Sequence, residues 1–297
     1  MVANSKIKLS VCVTAYNRKS GLSRTLRSLT KQTRQPDEVI VSDDYSPDDP
    51  KNVVDQWASY FSNFQYNRNQ QNLNMPGNLN LAISLARGSY IANLHDADEF
   101  DTTLLEKWEH ALDSYPTAGF VFSGVRSIPQ TSSINRFDLH PVPPFMNGVD
   151  FFEQHMLHRY SSYVWGTVMA RRTAYQELLP FDAKYGPYSD VDMWMRMCKS
   201  YDVAYVREPL ILLDDSPSTW RKFDWQRIEI VRQMQFDNVK RFYSSNPDRL
   251  RIEIRRHRKA YTKMCLRRIL GRVWHRDFDG VLKGLSLLFS TNSPAKE

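Results

Sequence analysis

Cysteine is scarce and scattered. Cys12, Cys198 and Cys265 are the whole complement of a 297-residue chain. An odd number at such spacing excludes a disulfide framework and a zinc cluster as organising features, and the apolar neighbours of all three predict buried thiols in a reducing compartment. Glycine is thin as well, with 11 residues. None forms Gly-x-Gly-x-x-Gly after the first strand, and no Gly-Lys-Ser/Thr loop occurs, so dinucleotide-binding and P-loop classes lose their main support. No apolar run approaches the roughly 18 residues of a membrane-crossing helix. The opening Met1-Val2-Ala3-Asn4-Ser5-Lys6 leads straight into a strand and shows no signal-peptide pattern. A cytoplasmic protein is expected. Hydrophobic residues at 41% and charged residues at 25% are ordinary for a globular protein with a sizeable core.

Charge is distributed unevenly. From Ser216 onward the chain holds 19 Lys+Arg against 8 Asp+Glu, while the part before it is net acidic. The overall +7 therefore arises entirely in the last quarter. An anionic partner for that region, such as a membrane surface or glycan, and a merely solvated helical face are both compatible with this pattern. No nucleic-acid partner is expected.

The pattern alternates strand and helix through most of the chain. Residues 7–14, 38–42, 64–66, 90–94, 118–123, 164–170, 203–206 and 210–213 read as strands. A helix is predicted after Ser20 as cap, with Leu22, Leu26 and Leu29 as its apolar stripe. Others are predicted over 51–60, 79–87 (ended by Gly88), 104–114, 149–158 and from Ser189, again as cap. Basic helices are predicted over 225–242, 249–270 and 278–289; the last fits core packing more readily than an interfacial anchor. The fold class is α/β, with a mainly parallel central sheet flanked by helices and a helical C-terminal extension. Residues 1–215 form the expected first domain and 216–297 a basic helical region.

The chemistry centres on Leu94-His95-Asp96-Ala97-Asp98-Glu99-Phe100, where the chain leaves an apolar strand. If the backbone stays extended, Asp96 and Asp98 point the same way. Two like charges about 4 Å apart repel by about 4 kcal/mol at an effective dielectric near 20. A shared Mg²⁺ or Mn²⁺ removes that repulsion and leaves charge for a diphosphate. Asp-x-Asp is also a common turn or cap, but ligands of open α/β sheets bind at the carboxyl ends of strands. Thr14, Asp44 and Asp98 all fall at such ends. Asp190 and Asp192 lie in the first turn of a helix, where spacing alone favours a helix-dipole interaction.

Four stretches occur in an order that resembles family 2 glycosyltransferases. They are Val13-Thr14-Ala15-Tyr16-Asn17-Arg18, Val39 to Ser46, Gly88 to Asp98, and Ser189 to Arg196. The resemblance covers about residues 7–213. It implies the GT-A fold, a nucleotide-sugar donor (UDP- or dTDP-linked) and inversion at the anomeric carbon. It places Thr14 and Tyr16 beside the nucleoside, Asp44 as acceptor of a base N–H, Asp96 near the ribose and metal, Asp98 as main metal ligand, and Asp190 as catalytic base. Mn²⁺ or Mg²⁺ is the implied cofactor. A hexosyl transfer of this type (EC 2.4) to a glycan or lipid-linked acceptor, in polysaccharide or lipopolysaccharide biosynthesis, is the implied activity. The sequence departs from the family pattern at Ser189, His95 and Glu99, and at Leu213-Asp214-Asp215, where many members carry a histidine. Asp214 and Asp215 become candidate third ligands, and Trp165-Gly166-Thr167 is expected to line the acceptor side. Two alternatives are a sugar-phosphate nucleotidyltransferase and a catalytically inactive nucleotide-sugar or glycan binder. The basic tail is expected to touch an anionic inner leaflet or to form a homodimer.

Overall fold

The structure is a computed structural model that describes residues 7–128, 137–159, 162–164, 166–214 and 225–292. These residues form two compact units, one within Met1–Gln154 and Ser162–Pro217, the other within His155–Ser161 and Ser218–Glu297. Each is described separately.

The first unit opens with β1 (Leu9–Ala15), α1 (Lys19–Leu29), β2 (Glu38–Asp43), α2 (Lys51–Ala58), β3 (Phe64–Arg68), α3 (Asn74–Leu85) and β4 (Tyr90–His95). It continues with β5 (Glu99–Phe100), α4 (Leu104–Ser114), β6 (Ala118–Ile128), β7 (Phe137–Asp138), β8 (Phe145–Met146) and α5 (Gly148–Phe151). It closes with β9 (Val168–Arg171), α6 (Arg172–Leu178), α7 (Ser189–Met197) and β10 (Asp202–Asp214). One sheet runs in the order β3-β2-β1-β4-β9-β6-β10-β5, with β7 on β6 and β8 on β10. The long strands all run the same way, and short β9 lies antiparallel between β4 and β6. The expected parallel sheet is therefore present with an antiparallel insertion.

The apolar runs follow from this placement. β1 and β2 are covered on both faces, so nearly every residue in them is buried and the period-two alternation is lost. β3 is an edge strand and only partly buried. α1 and α4 lay Leu22, Leu26, Leu29, Leu105, Trp108 and Leu112 onto the same core as Val11, Val13, Val41 and Leu94. β1 lies between β2 and β4, so successive connections leave it in opposite directions. A crevice at the carboxyl ends of the strands follows from that reversal.

Several predicted boundaries move. α1 starts at Lys19 without a side-chain cap, so Ser20 is not one. α3 begins at Asn74, and the expected turn around Pro76 is its first turn, a position where proline is tolerated. Ala86, extended, ends α3 in place of Gly88. α7 starts at Ser189, whose hydroxyl is buried against Met75 and caps nothing. The two closing strands are one, with register shifts around Pro209, whose missing N–H interrupts the ladder locally.

The second unit holds α8 (Trp225–Tyr243), α9 (Pro247–Trp274) and α10 (Phe278–Asn292). Asn246 caps α9 by accepting the Arg249 N–H at 3.1 Å. Tyr261, Cys265 and Leu288 make its core with Trp225, Ile228, Met264 and Leu287. Glu253 is buried, and Arg249 and Arg256 pair with it at 3.1 and 2.9 Å.

Leu26 is fully buried in the first core. Leu26→Ala is expected to lower unfolding free energy by about 2–5 kcal/mol. The measurement is a urea titration, where the midpoint should fall while the slope is unchanged.

Candidate active site

The loop that leaves β4 is clamped by α1. Thr25 Oγ1 lies 3.1 Å from the His95 carbonyl and 2.7 Å from the Asp98 carbonyl, so one hydroxyl spans the whole turn. Arg24 donates to the Ala97 carbonyl at 3.3 Å. At Gly21 an added Cβ would stand 2.5 Å from the Asp96 carbonyl oxygen. Glycine is thus required where helix and loop backbones meet.

Asp96 and Asp98 are both buried at 5% exposure, yet their surroundings differ. Asp96 Oδ2 accepts the Tyr16 N–H at 2.9 Å, and Arg18 stands 3.5 Å from Oδ1. This ties the loop after β1 to the loop after β4. Burial pushes the Asp96 carboxyl up to about 6, against the pull of Arg18 and the Tyr16 N–H. Beside Asp98, the His95 Nδ1 lies 3.8 Å from Oδ2. Burial lowers the imidazole's pKa, which favours its neutral form.

Asp44 follows β2 and its N–H donates to the Ala15 carbonyl at 2.9 Å. Its Oδ1 accepts from Asn69 Nδ2 at 2.9 Å and from the Leu73 N–H at 2.7 Å. Its Oδ2 takes no hydrogen bond from the described residues. Asn78 joins this network, receiving Ser42 Oγ and Asn69 Nδ2 on its Oδ1. Neighbouring Asp43 is held differently, by Tyr66 Oη at 2.9 Å and Arg68 at 3.0 Å. Thr14, at the end of β1, sits beside Ser42 on β2 and His95 on β4. Tyr16 is half exposed above it.

α7 separates its two acids. Asp192 is fully buried and pairs with Arg196 at 2.8 Å, and Arg196 also donates to the Leu178 and Pro180 carbonyls. Asp190 is half-buried and borders Gly166. A Cβ added to Gly166 would lie 2.5 Å from His95 Nε2 and 3.0 Å from Asp190 Oδ2, so the imidazole and the carboxyl flank one glycine. Asn93 Nδ2 donates to the Gly166 carbonyl at 2.6 Å and fixes it. Burial pushes Asp190 up to about 7, against the Val191 N–H that donates to its Oδ1.

The structure therefore brings Thr14, Tyr16, Asp44, Asp96, Asp98 and Asp190 to one edge of the sheet through a continuous set of contacts. Trp165, Asp215 and the side chain of Asp214 lie outside the described residues. Sequence reasoning missed His95 as a member of the site, along with Gly21, Thr25, Asn69 and Asn78. No spacing marks a helix glycine that touches a distant loop; the motif-flanking position of His95 was the one available signal. Among the described residues no group of three or more His, Cys, Asp or Glu converges as a closed metal centre. The donors present, buried carboxylates beside a neutral imidazole, fit a divalent cation that takes its remaining ligands from a phosphate.

A long-stranded sheet with its acids gathered at the carboxyl ends, beside the β2–β1–β4 reversal, defines a GT-A glycosyltransferase. The chain belongs to Glycosyl transferase family 2, whose sequence model matches residues 10–179. It is 26% identical over 65% of its length to EpsE of Bacillus subtilis, named as a glycosyltransferase, and covers 67% of that protein. It is 38% identical over 31% of its length to the GalNAc(5)-diNAcBac-PP-undecaprenol β-1,3-glucosyltransferase of Campylobacter jejuni, covering 30% of it. Coverage of the curated relatives is thus partial. The fold is that of S. aureus TarS (residues 1–349, solved with UDP), at TM-score 0.58, 16% identity and coverage of 98% and 93% of the two chains.

Gly21→Ala is expected to displace the Asp96–Ala97 backbone. Transfer rates should fall by about tenfold or more, since misplacement of about 1 Å at a site can cost 10²-fold. Initial rates and a melting curve check this; the melting point should move far less than the rate.

Proposed function

We propose that the chain transfers a sugar from a UDP- or dTDP-linked donor to a hydroxyl of a lipid-linked glycan acceptor, with inversion, by one direct displacement. The observation that carries this reading is the shared border of Asp190, Gly166 and His95, with Asp98 behind the imidazole. It brings the Asp190 carboxyl and the imidazole that lies 3.8 Å from Asp98 to the same glycine, which supports a base and a cation-holding group acting side by side. Support for the substrates comes from relatives. TarS has been solved with UDP and with UDP-GlcNAc. A WfaP glucosyltransferase of Escherichia coli, 29% identical over 41% of this chain, carries the name UDP-Glc:α-D-GlcNAc-diphosphoundecaprenol β-1,3-glucosyltransferase.

Each residue has a distinct task. Asp44 offers Oδ2 to a base N–H, with the carboxylate plane fixed by Asn69 and the Leu73 N–H. Thr14 and Tyr16 border the nucleoside. Asp98, with Asp96, would hold Mn²⁺ or Mg²⁺, which would supply positive charge to offset the charge that develops on the diphosphate. Arg18 adds positive charge on the same side. Asp190 takes the acceptor hydroxyl proton as that oxygen bonds to the anomeric carbon. The bond from that carbon to the diphosphate oxygen breaks, and its electron pair leaves with the nucleoside diphosphate. A base with a pKa of about 7 is well matched to neutral pH.

Release of nucleoside diphosphate from UDP-glucose or UDP-GlcNAc, with Mn²⁺ and an undecaprenyl-diphosphate-linked GlcNAc acceptor, tests the reading. Pyrophosphate release when UTP and a sugar 1-phosphate replace that donor would indicate nucleotidyl transfer instead, and donor binding without turnover would indicate an inactive binder. Asp190→Asn is expected to lower kcat by about 10²–10⁴-fold while donor affinity stays within a few-fold. The ionised carboxylate is the active form, so kcat/KM should rise as pH increases through about 7 and fall on the acid side. A profile flat from pH 5 to 8 would remove Asp190 as base. Asp44→Asn should raise KM for the donor with little change in kcat, seen in donor titrations.

A further inference from the structure

The second unit contains a cavity of about 570 Å³ bordered by His158, Ala260, Lys263, Met264, Arg267 and Arg268. Among the described residues no acidic side chain borders it, and Lys263, Arg267 and Arg268 sit on one flank of α9. Lys263 and Arg267 are exposed and make no ion pair among the described residues. The charge of Lys263 and Arg267 therefore has no acidic partner among the described residues. A phosphate or other compact anion is the chemistry that such a concavity takes.

The adjoining flank of α9 is apolar and open to solvent. Leu266 is 45% exposed, Leu270 68%, Val273 51% and Trp274 83%. At 100° per residue these four fall within one strip, about a quarter-turn from the cavity. On α10, Phe278, Leu282 and Phe289 form a second exposed strip, each at least 67% exposed. In this C-terminal half of α9, large apolar side chains on one face with arginines on the next are the arrangement of a helix that lies in a bilayer interface. Among the described residues no helix is long and apolar enough to cross a membrane.

We propose that the C-terminal unit docks on an anionic phospholipid surface, seating a headgroup phosphate in the Lys263–Arg267–Arg268 cavity while the Leu266–Trp274 strip enters the interfacial layer. Charge argues for this occupant over a second copy of the chain. A two-fold contact through this face would oppose two regions that each carry 19 Lys+Arg against 8 Asp+Glu. It also argues over a soluble anion, which would leave Leu270, Val273 and Trp274 in water. The inference is independent of the transfer chemistry.

The test is co-sedimentation of the full chain with vesicles of phosphatidylcholine alone and of phosphatidylcholine mixed with phosphatidylglycerol. Binding is expected only to the mixed vesicles, weakening with salt. Each cationic side chain near such a surface contributes roughly fivefold. Lys263→Glu with Arg267→Glu should therefore reduce partitioning more than tenfold, and Arg267→Glu should weaken it more than Arg251→Glu, a reversal elsewhere on α9. Trp274→Phe should remove a blue shift of fluorescence seen on binding. All these positions are exposed, and circular dichroism verifies folding. Equal losses from Arg251→Glu and Arg267→Glu would overturn the proposal in favour of diffuse attraction. So would an absence of vesicle binding, whether glycerol phosphate alone raises the melting point through this cavity or sedimentation velocity shows a dimer that Trp274→Glu dissociates.

Discussion

A threonine hydroxyl ties the loop that carries Asp96 and Asp98 to helix α1. Thr25 reaches the carbonyls of His95 and Asp98 from within α1, and Gly21 one turn earlier lets the helix touch the Asp96 backbone. The loop after β4 thereby inherits the rigidity of a helix whose adjoining face is locked in the core by Leu22, Leu26 and Leu29. Everything downstream depends on this contact: the separation of Asp96 and Asp98, the aim of the His95 ring, and the distance from that ring to Gly166.

The acidic residues come in neighbouring pairs, and each pair divides its work. Asp43 is consumed by Arg68 and Tyr66, while Asp44 keeps one oxygen free of protein donors. Asp192 is consumed by Arg196, while Asp190 reaches the gap at Gly166. Asp96 staples two loops through the Tyr16 N–H and stands beside Asp98, the main metal ligand of the proposed reaction. The pattern has a physical cause. A buried carboxylate needs compensation, and an acid fixed by its own partners stiffens the backbone that positions the next one. The raised pKa of Asp190 reflects the reverse condition, burial with little compensation.

Much of this was legible in the sequence, for identifiable reasons. The strands that build the sheet are buried on both faces, so their apolar runs stand out, and the polar residues that end them mark the site edge. The order of the four motifs gave the family. Helix starts were less legible: Ser20 and Ser189 have cap chemistry, but α1 begins two residues, and α7 one residue, earlier than a cap at those positions requires. Asp192 pairs with Arg196 at i,i+4 along α7, whereas the approach of Asp190 to Gly166 is a tertiary contact that spacing does not show. Gly21, Thr25 and Asn69 act across sheet layers, a kind of contact that leaves no local signature.

Gly166 carries a consequence of its own. A Cβ there would stand 2.5 Å from the imidazole and 3.0 Å from the carboxyl, so the two groups lie as near to each other as they do because one residue has no side chain, and Asn93 holds that residue's carbonyl. The spacing between the carboxyl and the ring beside Asp98 is thus set by a missing methyl group. A single added carbon at this position would have to push one of the two aside.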